Sequence, residues 1–390
     1  MPRPNLTDRL IAHHAERTAA DLARRLRTVT AATGLRIRLD GRDLLSFASN
    51  DYLGLAQDPR LIAALQSTAN DFGVGATAAH LLGGHRRPHQ QLEASLAEWL
   101  GYPRALLFST GMMANIGVLS CLLQRGDVCV QDRLNHASLI DGARLAGAEL
   151  LRYPHADLAA ARRQLQARPQ AAALLASDAV FSMDGDHAAL GELAALCQRE
   201  PATLLVDDAH GLGVLGEQGR GSVAAQGLSA TEVPVLMVTL GKALGTFGAA
   251  VLGSTALIEG LIQFSRPYIY TTALPPALAA ATLQSISIVR AETWRRDHLA
   301  VLIERFRSRA QAIGLRLMAS ATPIQPILIG DSGRAMAWSQ QLEAAGFYVP
   351  AIRPPTVPDN AARLRVTLSA SHSLAEVDAL IEALARASAA

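Results

Sequence analysis

Lysine is almost absent from this chain. Of 36 lysines and arginines in 390 residues all but one are arginine, and the exception is Lys242, in the apolar run VLMVTLGKALGTFGAAVLG. Arginine stays protonated and cannot form a Schiff base, so a chain that does its surface work with arginine keeps a lysine where a nucleophilic amine is needed. A chance residue on a turn is the competing reading. Cysteine is scarce too: Cys121, Cys129 and Cys197 have no metal-ligand spacing and make no disulfide framework. Excess charge of one sign is missing, with a net charge of +2 and no basic run interleaved with aromatics, so nucleic acid is not an expected partner. The pairs Arg86-Arg87, Arg162-Arg163 and Arg295-Arg296 are expected on solvated helix faces. No leader pattern and no charge-free run of about 20 residues is found, so no membrane contact is expected and the expected location is the cytoplasm. No metal site, internal repeat or low-complexity linker is expected either.

What is present suits a large globular core. Hydrophobic residues make up 50% of the chain and charged residues 18%, which excludes a disordered chain, and 390 residues suffice for two domains. Thr7 to Arg27 reads as an amphipathic helix with Leu10, Leu22 and Leu26 on its apolar positions. GLRIRLDGRDLLSFAS alternates across a hairpin turning at Asp40-Gly41. Short apolar strands then alternate with helices: ALLFS, DVCVQD, AALLAS, TLLVDDAH, VLMVTL and AAVLG. That alternation predicts an α/β fold with a mostly parallel sheet covered by helices. A long helical region is expected over 276–314, then the strand PIQPILIG, a helix over 332–345, the strand RLRVTLS and a closing helix.

The chemistry-bearing residues collect at predicted strand ends. TLLVDDAHG sets Asp207, Asp208 and His210 at the carboxyl end of a strand, where open α/β sheets bind ligands. Adjacent residues of an extended backbone point opposite ways, so only one of the two acids should face a site. A solvent-facing turn and a divalent-metal site are alternatives, although this trio is a poor ligand set. With Lys242 at the end of the next strand, the pattern suits pyridoxal 5'-phosphate: the lysine for its aldehyde, a buried acid for its pyridine nitrogen. A phosphate needs a cradle, and Ser109-Thr110-Gly111-Met112 joins a strand to a helix whose first amides favour a dianion. This junction carries neither GxGxxG nor GxxxxGK[ST], and by itself is a weak signal. Thr239 can add a hydroxyl. His136, between a strand and a helix, either caps that helix or lies against a cofactor ring.

Taken together, SNDYLGL (49–55), HASLIDG, VFSMDGD, VDDAHGLGVLGEQGRG, LGKALGTFGA, IRPPTVP and RLRVTLSASH resemble the α-oxoamine synthase branch of the fold type I pyridoxal phosphate enzymes. The resemblance spans nearly the whole chain. It implies an N-terminal helix and hairpin segment over 1–48 packing with the small domain, a large cofactor-binding α/β domain over 49–285, and a smaller C-terminal α/β domain over 286–390. It implies Lys242 as the Schiff-base lysine, Asp207 on the pyridine nitrogen, His210 on the phenolic oxygen, His136 against the ring and Ser182 in the same pocket. Two departures stand out. Ala76, Thr77 and Ala78 interrupt a segment that the family makes richer in serine and glycine, and Asp178 stands where a glutamate is usual.

The branch joins a small amino acid to an acyl thioester with loss of carbon dioxide. By the same resemblance Arg365 grips the amino-acid carboxylate, suiting the guanidinium fork, with Arg353 and Thr356 of IRPPTVP close by. Arg24 matches an acyl-binding position, though RRLR alone reads as a solvated helix face. IRPPTVP together with GEQGRG favours L-alanine and a pimeloyl thioester, carried on coenzyme A or on acyl carrier protein. Glycine with acetyl-CoA is the alternative pair, and a catalytically silent cofactor-binding protein is the alternative class. A homodimer with shared sites is implied, Thr271 and Thr272 approaching the second copy's phosphate; locally, the same threonines read as a helix cap.

Overall fold

The structure, a computed structural model, describes residues 3, 5–19 and 22–389. Fourteen strands are described: β1 (Val29–Thr33), β2 (Arg36–Leu39), β3 (Arg42–Ser46), β4 (Arg104–Phe108), β5 (Val128–Asp132), β6 (Glu149–Tyr153), β7 (Ala173–Asp178), β8 (Thr203–Asp207), β9 (Val235–Thr239), β10 (Ala249–Gly253), β11 (Ile324–Gly330), β12 (Phe347–Tyr348), β13 (Ala351–Ile352) and β14 (Ala362–Thr367). The central sheet runs β4-β10-β9-β8-β7-β5-β6. β6, β5, β7, β8 and β9 are parallel, and only β10 runs against its neighbours β4 and β9. The expected mostly parallel sheet is present, with one reversed strand.

Burial on both faces explains the continuous apolar strands. Along β9, Leu236 and Val238 enter one core while Val235 and Met237 enter the other, and β10 divides Ala250 and Leu252 from Ala249 and Val251 in the same way. One face is covered by helices including Arg87–Leu100, Leu190–Arg199 and Pro276–Ala291, the other by Gly111–Leu122, Ala137–Ala146 and Thr255–Phe264. Two dry faces hold the strands in register, so the carboxyl ends of β5, β7, β8 and β9 reach one edge together. Elsewhere β11-β14-β13 form a small sheet, and β1-β2-β3-β12 another in which β3 pairs in parallel with β12. The hairpin turns where expected, Asp40 and Gly41 both having positive φ (49° and 79°), as a two-residue connection requires.

Four expectations need correction. The first helix spans Leu6–Ala19 rather than 7–27, and none of its residues is buried; residues 20 and 21 of the expected helix lie outside the described residues. With no face packed, periodicity has nothing to hold it beyond that point. The chain beyond Leu22 is drawn out toward β1, where Arg27 forms a two-pronged bond to Glu343 at 2.7 and 2.9 Å. Leu22, Arg24 and Leu26 are therefore not helical. Second, the long helical region is two helices, Pro276–Ala291 and Trp294–Ala312. At the break Glu292 accepts from Arg60 at 2.5 Å and from Arg295 at 2.8 Å. Third, Arg295 is therefore buried rather than solvated, pairing with Asp58 and donating to the Leu53 carbonyl at 2.8 Å. Fourth, β6 and the helices Pro59–Phe72 and Leu158–Gln166 were not expected from the pattern. No described helix is long and apolar enough to cross a membrane.

Candidate active site

Lys242 follows β9 on a turn closed by the Gly245 N–H donating to the Lys242 carbonyl at 2.9 Å. Gly245 has φ +66°, and a Cβ there would stand 2.5 Å from the Ala56 nitrogen. That glycine lets the Lys242 turn rest on the backbone of SNDYLGLA. Gly111, Met112, His136, Ser182, Asp207, His210, Thr239 and Lys242, all predicted from sequence, line one cavity of about 190 Å3 at the strand edge. A larger cavity of about 720 Å3, along the helix Trp294–Ala312, contains none of them.

The Lys242 amine is set into the cavity wall, part-buried and 2.9 Å from His210 Nε2. Burial brings it down from 10.5 to about 8; Asp207 and Asp178 oppose the shift and Arg365 adds to it. His210 is held well below its ordinary value, first by burial and then by the charges of Lys242 and Arg365. Its Nδ1 lies 2.6 Å from the Tyr52 hydroxyl.

The two adjacent acids diverge as strand geometry requires. Asp207 lines the cavity, its Oδ2 accepting from Asn115 Nδ2 at 2.7 Å and its Oδ1 from the Ala209 N–H at 3.0 Å. Asp208 points away and accepts from the Ser222 hydroxyl and amide at 2.5 and 2.7 Å. Burial raises Asp208 to about 7, against the pull of those bonds. Asn115 also donates to Ser138 Oγ at 2.8 Å, and Ser138 Oγ lies 2.7 Å from His136 Nδ1. His136 caps the helix Ala137–Ala146 and also lines the cavity. Its amide donates to Asp178 Oδ2 at 3.1 Å. Asp178, buried at the end of β7, is raised by desolvation and by Asp207. The acid one methylene shorter than usual thus holds the backbone of His136.

These residues fit a pyridoxal phosphate. The cavity offers a nucleophilic amine, a buried carboxylate and a helix start. At that start Thr110 caps the Met113 amide at 3.1 Å, while the preceding amides open the first turn. A Cβ at Gly111 would come 2.9 Å from Thr239 Cγ2, so glycine keeps this cradle open. Two buried oxygens beside the cavity, Asn115 Oδ1 and Asp178 Oδ1, have no partner among the described residues.

Arg365, on β14, is buried beside the cavity, its Nε donating to the Ser182 carbonyl at 2.7 Å. It also directs Nη1 and Nη2 at Asn50 Oδ1 at 3.4 and 3.3 Å. Other predicted residues are not brought into the cavity. Arg24 is exposed on the drawn-out segment, Arg353 is half-buried, and Thr356 is exposed with its amide donating to the Arg353 carbonyl at 3.1 Å. The stretches flanking them do meet: Arg17 and Leu22 share a cleft with Pro354, Pro355 and Val357. Thr272 bridges Ala79 in extended backbone, and neither it nor Thr271 lines the cavity of its own chain.

Sequence reasoning missed Asn115, Ser138, Asn50 and Tyr52. Asn115 was legible as an amide on the apolar face of a helix, four residues after Gly111. It also passed over His155. That imidazole lies 3.1 Å from both oxygens of Asp132 and 2.8 Å from Asp186 Oδ2, so both ring nitrogens face carboxylates. Hydrogen bonds to Asp132 and then Asp186 raise it to about 10. It ties the end of β5 to the loop FSMDGD, which presents Ser182.

The comparisons with known proteins agree with this geometry. Residues 42–384 match the aminotransferase class I and II family. Over 387 residues the chain is 54% identical to the 8-amino-7-oxononanoate synthase of Xylella fastidiosa (strain M12), covering 99% of this chain and 96% of that one. The corresponding protein of Xanthomonas campestris pv. campestris (strain B100) is 55% identical over 388 residues, with 99% and 97% covered. Among solved structures, serine palmitoyltransferase of Sphingomonas wittichii superposes with a TM-score of 0.94 at 31% identity, covering 99% and 98%. The 8-amino-7-oxononanoate synthase of Francisella tularensis superposes with 0.77 at 32% identity, covering 88% and 97%. The chain belongs to the aminotransferase class I and II family, as a fold type I pyridoxal phosphate enzyme of the α-oxoamine synthase branch that is 8-amino-7-oxononanoate synthase-like.

The His155 clamp carries a pH signature. A histidine raised in the folded state stabilises fully below its unfolded value of 6.5, and that contribution is lost as pH climbs toward about 10. His155→Gln should therefore lower Tm most near pH 6.5 and progressively less toward pH 10. A Tm deficit constant across that window contradicts the clamp.

Proposed function

We propose that this chain condenses L-alanine with a pimeloyl thioester, on coenzyme A or acyl carrier protein, releasing carbon dioxide and free thiol to give 8-amino-7-oxononanoate for biotin synthesis. The observation that carries the proposal is 54% identity over 387 residues to a protein of that name. Pyridoxal 5'-phosphate, when bound, supplies a sink for the electron pair left on the α-carbon of the amino acid. The chain's own residues do the rest. Lys242 Nζ would hold the cofactor through its aldehyde carbon and, as a free amine, would take the α-proton of the amino acid; an amine brought down to about 8 suits that work near neutral pH. Asp207 keeps the pyridine nitrogen protonated, and Asn115 holds its carboxylate in place. His210 would bond the phenolic oxygen and His136 would hold the ring, with Ser182 lining the same cavity. The amides of Gly111 and Met112 and the Thr239 hydroxyl would receive the phosphate.

Arg365 takes the alanine carboxylate in a two-pronged grip. Arg353 and Thr356 flank the entry, and Arg24 lies on the acyl side, supported by the cleft that joins their neighbouring stretches. A homodimer completes the site, Thr271 and Thr272 of a second copy reaching the phosphate. Supporting this, Val74, Leu82 and Tyr270 are 88%, 80% and 70% exposed on the single chain, apolar side chains of the kind that a second copy would cover.

Turnover tests the substrate assignment. L-alanine with pimeloyl-CoA or the pimeloyl carrier protein should release thiol and carbon dioxide in equal amounts, far faster than glycine with acetyl-CoA. Faster turnover of the glycine pair, or none with either, contradicts it. Sedimentation at assay concentration should find the active species to be a dimer, and an active monomer would end the shared-site reading.

A further inference from the structure

The SNDYLGL stretch supplies a side chain that no role above uses. Tyr52 is fully buried, with its hydroxyl 2.6 Å from His210 Nδ1 and 3.2 Å from Asn50 Oδ1. On the other side of the imidazole, Nε2 is 2.9 Å from Lys242 Nζ. The far end of this line has a fixed polarity. Two guanidinium nitrogens of Arg365 face Asn50 Oδ1 at 3.4 and 3.3 Å, so that atom is the amide oxygen, which only accepts. Tyr52 itself cannot drift: Asp51 accepts from the Leu55 and Ala56 amides at 2.8 and 3.0 Å, and the Tyr52 carbonyl accepts from Ala370 at 2.8 Å.

We propose that Tyr52 is a positioning residue that selects which nitrogen of His210 carries the ring proton, and so whether His210 offers Lys242 a lone pair or an N–H. Two arrangements of opposite polarity satisfy every group. In the first, the Lys242 ammonium donates to Nε2, the Nδ1–H donates to the Tyr52 oxygen, and the Tyr52 O–H donates to Asn50. In the second, Nε2–H donates to the neutral amine and Tyr52 turns its O–H onto the bare Nδ1. The two differ by one proton, lost to solvent from the Lys242–His210 pair, and the imidazole is neutral in both. That neutrality accords with the burial and the Lys242 and Arg365 charges that hold His210 well below its ordinary value. The titratable and charged groups acting on the line are Asp207, Asp178 and Arg365 near Lys242, with Asp208 turned away behind them, His136 and Arg365 near His210, and Arg365 near Tyr52. The described partner of Nδ1 is the Tyr52 hydroxyl, which can serve it as donor in one state and acceptor in the other.

Phenylalanine at this position keeps the ring but strands Nδ1. A buried N–H without an acceptor is worse tolerated than a bare lone pair. The ring therefore settles with its proton on Nε2, the arrangement that favours the neutral amine. The inference rests on Lys242 being the reactive amine proposed above, yet it is tested without turnover and can fail while that reading stands. The cofactor-free full chain, in which Lys242 is a free amine beside His210, labelled with 13C at lysine Cε gives one lysine signal, whose shift follows Lys242 through its titration. Tyr52→Phe should lower the midpoint by about one unit, a tenfold rise in free amine at a given pH. In a His210→Ala background the same change should leave the midpoint unmoved. An unchanged or raised midpoint in the single variant, or an equal fall in the His210→Ala background, overturns the proposal. If Tyr52→Phe does not fold, the wild-type chain labelled with 15N-histidine decides the matter. His210 should carry its proton on Nδ1 below the Lys242 midpoint and on Nε2 above it, and a tautomer indifferent to that midpoint overturns the proposal.

Discussion

Keeping one amine out of water is the constraint on which the rest of the site depends. Moving Lys242 from 10.5 to about 8 corresponds to roughly 3 kcal/mol against its charged form. The fold bears that cost because the turn carrying Lys242 is clamped from both sides. Gly245 rests on the backbone of residues 55–56, and His210 takes the amine on its lone pair or its N–H. Asp207 and Asp178 pull the other way and stop the shift from going further. Burial alone would drive the amine lower and the carboxylates alone would keep it charged. Their balance leaves a nucleophile that changes state near working pH.

The sheet turns that balance into geometry. Because the strands are dry on both faces, their carboxyl ends are fixed relative to one another, and each delivers one group: β5 leads to His136, β7 ends in Asp178, β8 in Asp207 and β9 in Thr239. A polar chain then links them below the cavity, from Asp207 through Asn115 and Ser138 to His136 and back to Asp178. Such a network is strong only when its members are paired. The two oxygens in it without a protein partner border the cavity, where a ligand's polar edge belongs. The His155 clamp acts one layer further out, fixing the loop whose Ser182 carbonyl accepts from Arg365.

Much of this was legible in the sequence, for physical reasons that also mark its limits. A single lysine in an arginine-rich chain is a signal of chemistry rather than of surface; period-two alternation said that only one of Asp207 and Asp208 would face a site, and the family resemblance, not the alternation, pointed to Asp207. Strands buried on both faces are legible as apolar runs, so six strands of the central sheet were clear, while the half-exposed edge strand β6 was not. What composition and period do not encode is which distant backbones meet. Tyr52 and His210 are 158 residues apart in sequence, and Asn115 and Asp207 are 92 apart. The N-terminal helix was overextended because its pattern implies a partner face that the single chain does not supply. Arg295 was misplaced for the converse reason, since its ion pairs with Asp58 and Glu292 are invisible in a local window.

The claim that everything else serves is that Lys242 carries the cofactor. Because the chain has one lysine, borohydride reduction of the cofactor-loaded protein followed by peptide mapping tests it without ambiguity. The account predicts a reduced pyridoxyl adduct on the peptide containing Lys242 and on no other. Bound cofactor with that peptide unmodified, or with the label on the N-terminal amine instead, would contradict it.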